Sequence, residues 1–288
     1  HVLGQQRQNF VSVKDETSGK VIIGVEDGAN NSYCDLLFYV NASKTIEEPN
    51  DRPVITPDDG NEPEKPDVTE TKTGTLAFED IWPGGGDYDM NDVIVEYNRA
   101  VSFDKKNQVT KIVDTFTPVH DGAVFANAFA YQVDKGQFGK MTFSATTEGI
   151  HTESATSSII VCPNVKQAIQ KVYTITREFT GGSFNKKDLK SYNPYIIVKY
   201  AEGQKGRTEV HLPKHEATSL ADLSLAGTQK DAYYIDKEGA YPFAIDIPIL
   251  NFISVTEKKS IDTEYPNFKA WADSKGEKYT DWYNNHVN

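Results

Sequence analysis

Several things are scarce in this 288-residue chain, and each scarcity excludes something. Cysteine is limited to Cys34 and Cys162, far apart and without CxxC spacing or a His cluster nearby. A zinc or redox motif is therefore unsupported, and a disulfide or two separate buried thiols both stay open. The six histidines are scattered, and no Ser/His/Asp arrangement, nucleophile elbow or phosphate-binding Gly loop can be read, so no enzyme class is legible. No apolar run reaches the ~18 residues a membrane helix needs. Basic residues are outnumbered, 30 Lys plus Arg against 42 Asp plus Glu, for a net charge of −12. That balance argues against nucleic acid and anionic membrane surfaces as partners and favours cations, neutral polymers or basic proteins. The chain begins at His1 with no initiator Met, charged n-region or apolar h-region. A signal or lipid anchor is thus expected outside this sequence, and membrane attachment would run only through such an anchor.

Helical periodicity is weak too, with short candidates at 164–171, 267–273 and 280–285. What is abundant is strand pattern. Short β-branched or aromatic runs occupy 110–118, 123–133, 140–147, 157–161, 172–179, 195–200, 208–212 and 242–249, separated by Gly, Asn, Asp and Pro. In 124–131 one parity carries Phe125, Asn127, Phe129 and Tyr131 and the other Val124, Ala126, Ala128 and Ala130, a small-residue face suited to close sheet packing. The fold class expected is all-β, an antiparallel, jelly-roll-like β-sandwich with a few short helices. Residues 1–48 read as a β-hairpin segment that packs on the main domain or stands apart from it. Residues 49–73, rich in Pro and acid, read as a linker or covering loop, and 74–288 as the sandwich domain.

The segment FEDIWPGGGDYDMNDVIVEY, 78–97, has no Lys or Arg, and its loop portion, 79–92, carries five carboxylates. Asp87, Asp89 and Asn91 alternate, with Asp92 next and Glu79 and Asp80 upstream. Such oxygen ligands suit a hard cation such as Ca²⁺, which takes six to eight oxygens, and they repel one another without one. Gly84, Gly85 and Gly86 are expected to supply positive φ. The EF-hand pattern fails, because Asp92 stands where Gly belongs and Asn98 where a bidentate Glu belongs. With no His or Cys in the loop zinc does not fit, and Mg²⁺ wants a more rigid octahedron. The expected ligand set for a structural Ca²⁺ is Glu79, Asp80, Asp87, Asp89, Asn91 and Asp92. The competing reading is a solvated turn of Asx formers.

A degenerate repeat precedes it: Ile23-Gly-Val-Glu-Asp27 aligns with Leu76-Ala-Phe-Glu-Asp80, and Asn30 to Phe38 with Asp87 to Val95. The first copy has Asn30, Ser32 and Cys34 where the second has Asp87, Asp89 and Asn91, so the Glu26–Asp35 turn reads as an Asx-rich turn with weaker metal capacity. His211 and His215 are four apart, but Pro213 between them argues against a helical metal pair and for strand-end or loop positions.

Ala77 to Pro83 followed by Gly86 to Asp92 resembles the opening signature of the LruC domain. Gly122 to Val133, Gly206 to Pro213 with Thr218 to Asp222, and Phe268 to Asp273 with Tyr279 to Tyr283 agree with it in order. The turn near Glu26 to Val40 is similar to a β module often found before such domains. The resemblance implies secreted or outer-membrane lipoproteins of Gram-negative bacteria without an established enzymatic activity. The expected function is a non-enzymatic cell-surface or secreted module, stiffened by Ca²⁺, for adhesion or display of a face to a glycan or protein ligand. A carbohydrate-binding module or glycan-utilisation accessory protein is the alternative, motivated by 15 Tyr, 14 Phe and three Trp.

Overall fold

The computed structural model describes residues 10–14, 21–25, 36–40, 68–179, 184–190, 192–203, 206–225, 234–235 and 241–287. The chain divides into two units, residues 1–64 and 65–288. In the first, β1 (Phe10–Lys14), β2 (Val21–Val25) and β3 (Leu36–Val40) form an antiparallel sheet in the order β1-β2-β3. The sequence pattern anticipates β2 and β3 and misses β1. The Glu26–Asp35 turn and Cys34 lie outside the described residues.

The second unit begins with β4 (Val68–Phe78), β5 (Val93–Phe103) and β6 (Val109–His120), an antiparallel meander. β4 thus starts six residues before the expected domain boundary, because Val68 to Thr73 pair with Asn98 to Phe103 although their side chains are mostly exposed. The chain then alternates between two sheets. β7 (Ala128–Gln132) is followed by α1 (Lys135–Phe138), β8 (Met141–Ala145), β9 (His151–Glu153) and β10 (Ser158–Cys162). After these come β11 (Tyr173–Phe179), β12 (Asn193–Ile197), β13 (Glu209–His211), β14 (Ala244–Ile247) and α2 (Phe268–Asp273). One sheet has the order β14-β4-β5-β6-β11-β8, the other β13-β12-β7-β10-β9. Both are antiparallel, as an all-β sandwich requires.

The two sheets meet over Leu76, Phe78, Val93, Val95, Tyr97 and Phe116 from one side and Phe129, Tyr131, Ile159, Val161, Ile196 and Val210 from the other. Burying each such side chain contributes roughly 1.5–3 kcal/mol. The alternation in β7 works as the sequence predicts. Phe129 packs inward against Phe78 and Phe116, while Ala128 and Ala130 share the opposite face with Ile160, Tyr195 and Ile197. Residues 123–127, expected in this strand, lie outside it, since Asn127 is recruited elsewhere. The longer sheet is also covered on its outer face. There Ala77, Ile94, Ile245 and Ile247 pack beneath Phe252, Val255, Ile261, Tyr265, Phe268 and Trp282 of a C-terminal lobe. Of the three expected helices only 267–273 becomes α-helix. The other two shrink to 3₁₀ turns at Val165–Gln167 and Trp282–Asn284.

One layer of this core is ionic. Asp114 accepts from Arg99 Nε at 2.6 Å, Arg177 Nη2 at 2.9 Å and Tyr131 OH at 3.1 Å. Burial would raise the Asp114 carboxyl, but the two guanidiniums outweigh it and hold it below its ordinary value.

Candidate metal centre

The acidic segment closes the β4–β5 hairpin. Phe78 opposes Val93 at its base, and Glu79 N–H donates to Phe243 O at 2.8 Å. Gly84 N–H turns back onto Ile81 O at 3.0 Å. Positive φ occurs here at Tyr88 and Met90, both at 55°, and at none of Gly84, Gly85 and Gly86, which corrects the role expected of the glycines. Gly86 is required for space instead. A Cβ there would stand 2.8 Å from Glu79 Oε2. Two left-handed residues in a row of alternate positions curl the loop inward, and its main-chain N–H groups then serve its own carboxylates.

Met90 N–H donates to Glu79 Oε1 at 2.5 Å, Asn91 N–H to Asp89 Oδ1 at 3.3 Å and Asp80 N–H to Asp92 Oδ2 at 2.7 Å. Of the six expected ligands, Glu79, Asp87 and Asp89 each bring an oxygen within 4.8 Å of the others. Asp80 and Asp92 form a neighbouring pair, with Asn127 Nδ2 donating to Asp80 Oδ2 at 2.7 Å. Asn91 turns toward the C-terminal lobe. Its Nδ2 donates to Val255 O at 3.2 Å, and its Oδ1 is a buried acceptor with no partner among the described residues. Asn127, Gly122 and Lys258, whose N–H donates to Asp89 Oδ2 at 2.9 Å, belong to the same surroundings. No window around the loop could reveal them.

The electrostatics are one-sided. Glu79 is 0% exposed, and its Oε2 is buried without a hydrogen-bond partner among the described residues. Burial, then Asp92, and more weakly Asp89 and Asp87 push its carboxyl well above the ordinary value, against the pull of the Met90 N–H. Burial raises Asp89 too, opposed by the Lys258 N–H, and it raises Asp80, opposed by Asn127. Asp92 is pushed up to about 7 by burial and by the neighbouring Asp80. Oxygen ligands without nitrogen or sulfur, in an irregular cluster, fit a hard cation of the Ca²⁺ type.

His211 and His215 do not form a metal pair. His211 is buried at the end of β13 with Nδ1 2.7 Å from Asn193 Oδ1 and Nε2 2.9 Å from Glu209 Oε2, while His215 Nδ1 lies 3.3 Å from Pro213 O. Cys162 is a buried free thiol beside Tyr173 OH.

Residues 107–283 match a family described as a domain of unknown function, DUF4842. The chain belongs to this family. The matched DUF4842 region begins after the acidic loop, so the loop is not part of the match, and the match does not carry the LruC name. No curated protein matches the chain. Among solved structures, the crystal structure of a "putative lipoprotein" from Bacteroides ovatus at 2.08 Å is similar, with a TM-score of 0.58 and 16% identity over 97% of this chain and 91% of that one. At that identity the likeness shows the fold alone. Among the described residues no helix is long and apolar enough to cross a membrane.

Proposed function

We propose that this DUF4842 chain is a non-enzymatic, surface-displayed or secreted β-sandwich module whose β4–β5 loop is held by a structural Ca²⁺ bound through Glu79, Asp87 and Asp89. The module acts in adhesion or in display of a binding face. The observation that carries the cation is Glu79, a fully buried carboxylate beside two further carboxylates, with one oxygen unpartnered among the described residues. Buried charge of one sign without a counter-charge costs several kcal/mol, and a divalent cation turns that cost into attraction. The surface location draws on the lipoprotein named in the similar structure and on the LruC resemblance. Against the glycan-platform alternative, Trp82 and Trp282 are only 5% and 3% exposed and are spent on packing.

The test is thermal unfolding in chelator and in millimolar Ca²⁺. At a concentration a hundredfold above Kd, mass action raises stability by about 2.7 kcal/mol. An unchanged midpoint, with equally absent heat in a calorimetric titration, would defeat the cation reading.

A further inference from the structure

The loop alone is short of ligands for a hard cation. Glu79 Oε1 already accepts from Met90 N–H, and both oxygens of Asp89 accept main-chain N–H groups. Asp80 and Asp92 are engaged with each other and with Asn127, and Asn91 faces Val255 and Gly122. A site of six to eight oxygens must therefore draw on another segment or on water. The segment seated against the cluster is residues 255–261. Lys258 N–H donates to Asp89 Oδ2 at 2.9 Å, Val255 O accepts from Asn91 Nδ2 at 3.2 Å, and Ile261 N–H donates to Tyr88 O at 2.8 Å. Lys258 has a φ of 66°, so the chain turns sharply where it touches Asp89. The residue just before it is Glu257, whose main chain adjoins the N–H on Asp89 and whose exposed carboxylate lies outside the 4.8 Å group and would swing in to reach the ion. Lys259 is no obstacle, since it faces Glu264 at 3.7 Å.

We propose, resting on the cation reading above, that Glu257 supplies a further carboxylate to the ion held by Glu79, Asp87 and Asp89, so that the ion ties the β4–β5 loop to the C-terminal lobe of residues 249–287. That lobe has little regular structure of its own, only α2 and 3₁₀ turns at Ile261–Thr263 and Trp282–Asn284. Its attachment therefore depends on side-chain packing and on the tie. By linkage, whatever favours the seated lobe favours the ion equally, and the reverse.

The experiment is calorimetric titration of the whole chain with CaCl₂, using the native sequence, Glu257→Gln and Glu257→Ala, together with amide hydrogen exchange at Lys258 and Ile261. Because Glu257 is exposed, both variants should fold, with the chelator midpoint unchanged. The expected result is a Kd raised on the order of tenfold in both variants. Ca²⁺ should also slow exchange at Lys258 and Ile261 in the native chain and slow it less in Glu257→Ala. If the native chain binds Ca²⁺ and both variants bind within twofold of it, the bridge is overturned and the loop site stands. If the native chain takes up no Ca²⁺, both fall together.

Discussion

Replacing Glu79 with Gln is the sharpest test of the loop's chemistry, because the direction of its effect runs against ordinary intuition about buried polar residues. In the unfolded chain a glutamate near its ordinary pKa of 4.5 is ionised at pH 7.5, whereas in the folded calcium-free protein burial, and after it Asp92, disfavours the ionised form and holds this carboxyl well above 4.5. Each pH unit of that difference costs about 1.4 kcal/mol, so the three units from 4.5 to 7.5 set a ceiling of ~4 kcal/mol. The sign follows from proton binding. The folded state holds the proton more tightly, so the calcium-free protein loses stability as pH rises above 4.5, until it passes the raised value. Glutamine has the same shape, leaves an oxygen for the Met90 N–H and carries no proton to lose. Glu79→Gln should therefore raise the melting midpoint in chelator at pH 7.5, at about 2–4 °C per kcal/mol. At pH 5 the gain should nearly vanish, since half a unit is worth ~0.7 kcal/mol. The same variant should lose the stabilisation by Ca²⁺. Circular dichroism melts of both proteins at the two pH values, with chelator and with Ca²⁺, read all four outcomes. A lower midpoint for Glu79→Gln in chelator at pH 7.5, or a calcium response equal to that of the native protein, would refute the reasoning.

Two further substitutions probe the frame around the loop. Gly122→Ala would place a Cβ 2.5 Å from Asn91 Oδ1 and 3.1 Å from Asn91 O. Forced repacking of that kind should lower stability by about 1–3 kcal/mol, measured by urea unfolding, and a neutral result would mean that the 122–123 segment yields freely. Asp114→Asn would leave Arg99 and Arg177 buried without their shared counter-charge. A loss of roughly 3–5 kcal/mol is expected, and a loss below 1 kcal/mol would show that the triad is more hydrated than its burial implies.

The repeat is the part of the fold most directly legible in the sequence. Aligning Val25 with Phe78 and Leu36 with Val93 from the pattern strand, Glu-Asp, loop, strand puts in correspondence the very pairs that oppose each other, Val25 with Leu36 and Phe78 with Val93. Register is readable here because a strand pair closed by a loop fixes both ends locally. Strand 128–132 was likewise legible through its Phe/Ala alternation. Its start was not, because Asn127 leaves the strand pattern to reach Asp80 and Lys199, partners distant in the chain. The ligand set divides for a similar reason. Alternate positions 87, 89 and 91 share a face only while the backbone stays extended, and the left-handed residues Tyr88 and Met90 rotate Asn91 away. Nothing in the residue types at 88 and 90 announces that conformation, since neither is Gly, Asn or Asp.

The way the rest of the chain treats buried carboxylates bears on the loop. Asp114 is given two arginines and a tyrosine, and its carboxyl is held low. Glu209 is given Arg207, His211 and both the N–H and the hydroxyl of Thr218, and against its burial it too is held low. Glu79 is as buried as either and receives one N–H. Its neighbours within ligand distance are Asp87 and Asp89, and its carboxyl is driven up. That a chain twice supplies its own counter-charges to a buried acid, and at this loop surrounds one with further acid, supports the proposed cation. On that proposal a divalent cation would bind where β4, β5, Phe243 and the C-terminal lobe converge, and a single ion would couple the end of the sandwich to the segment that covers it.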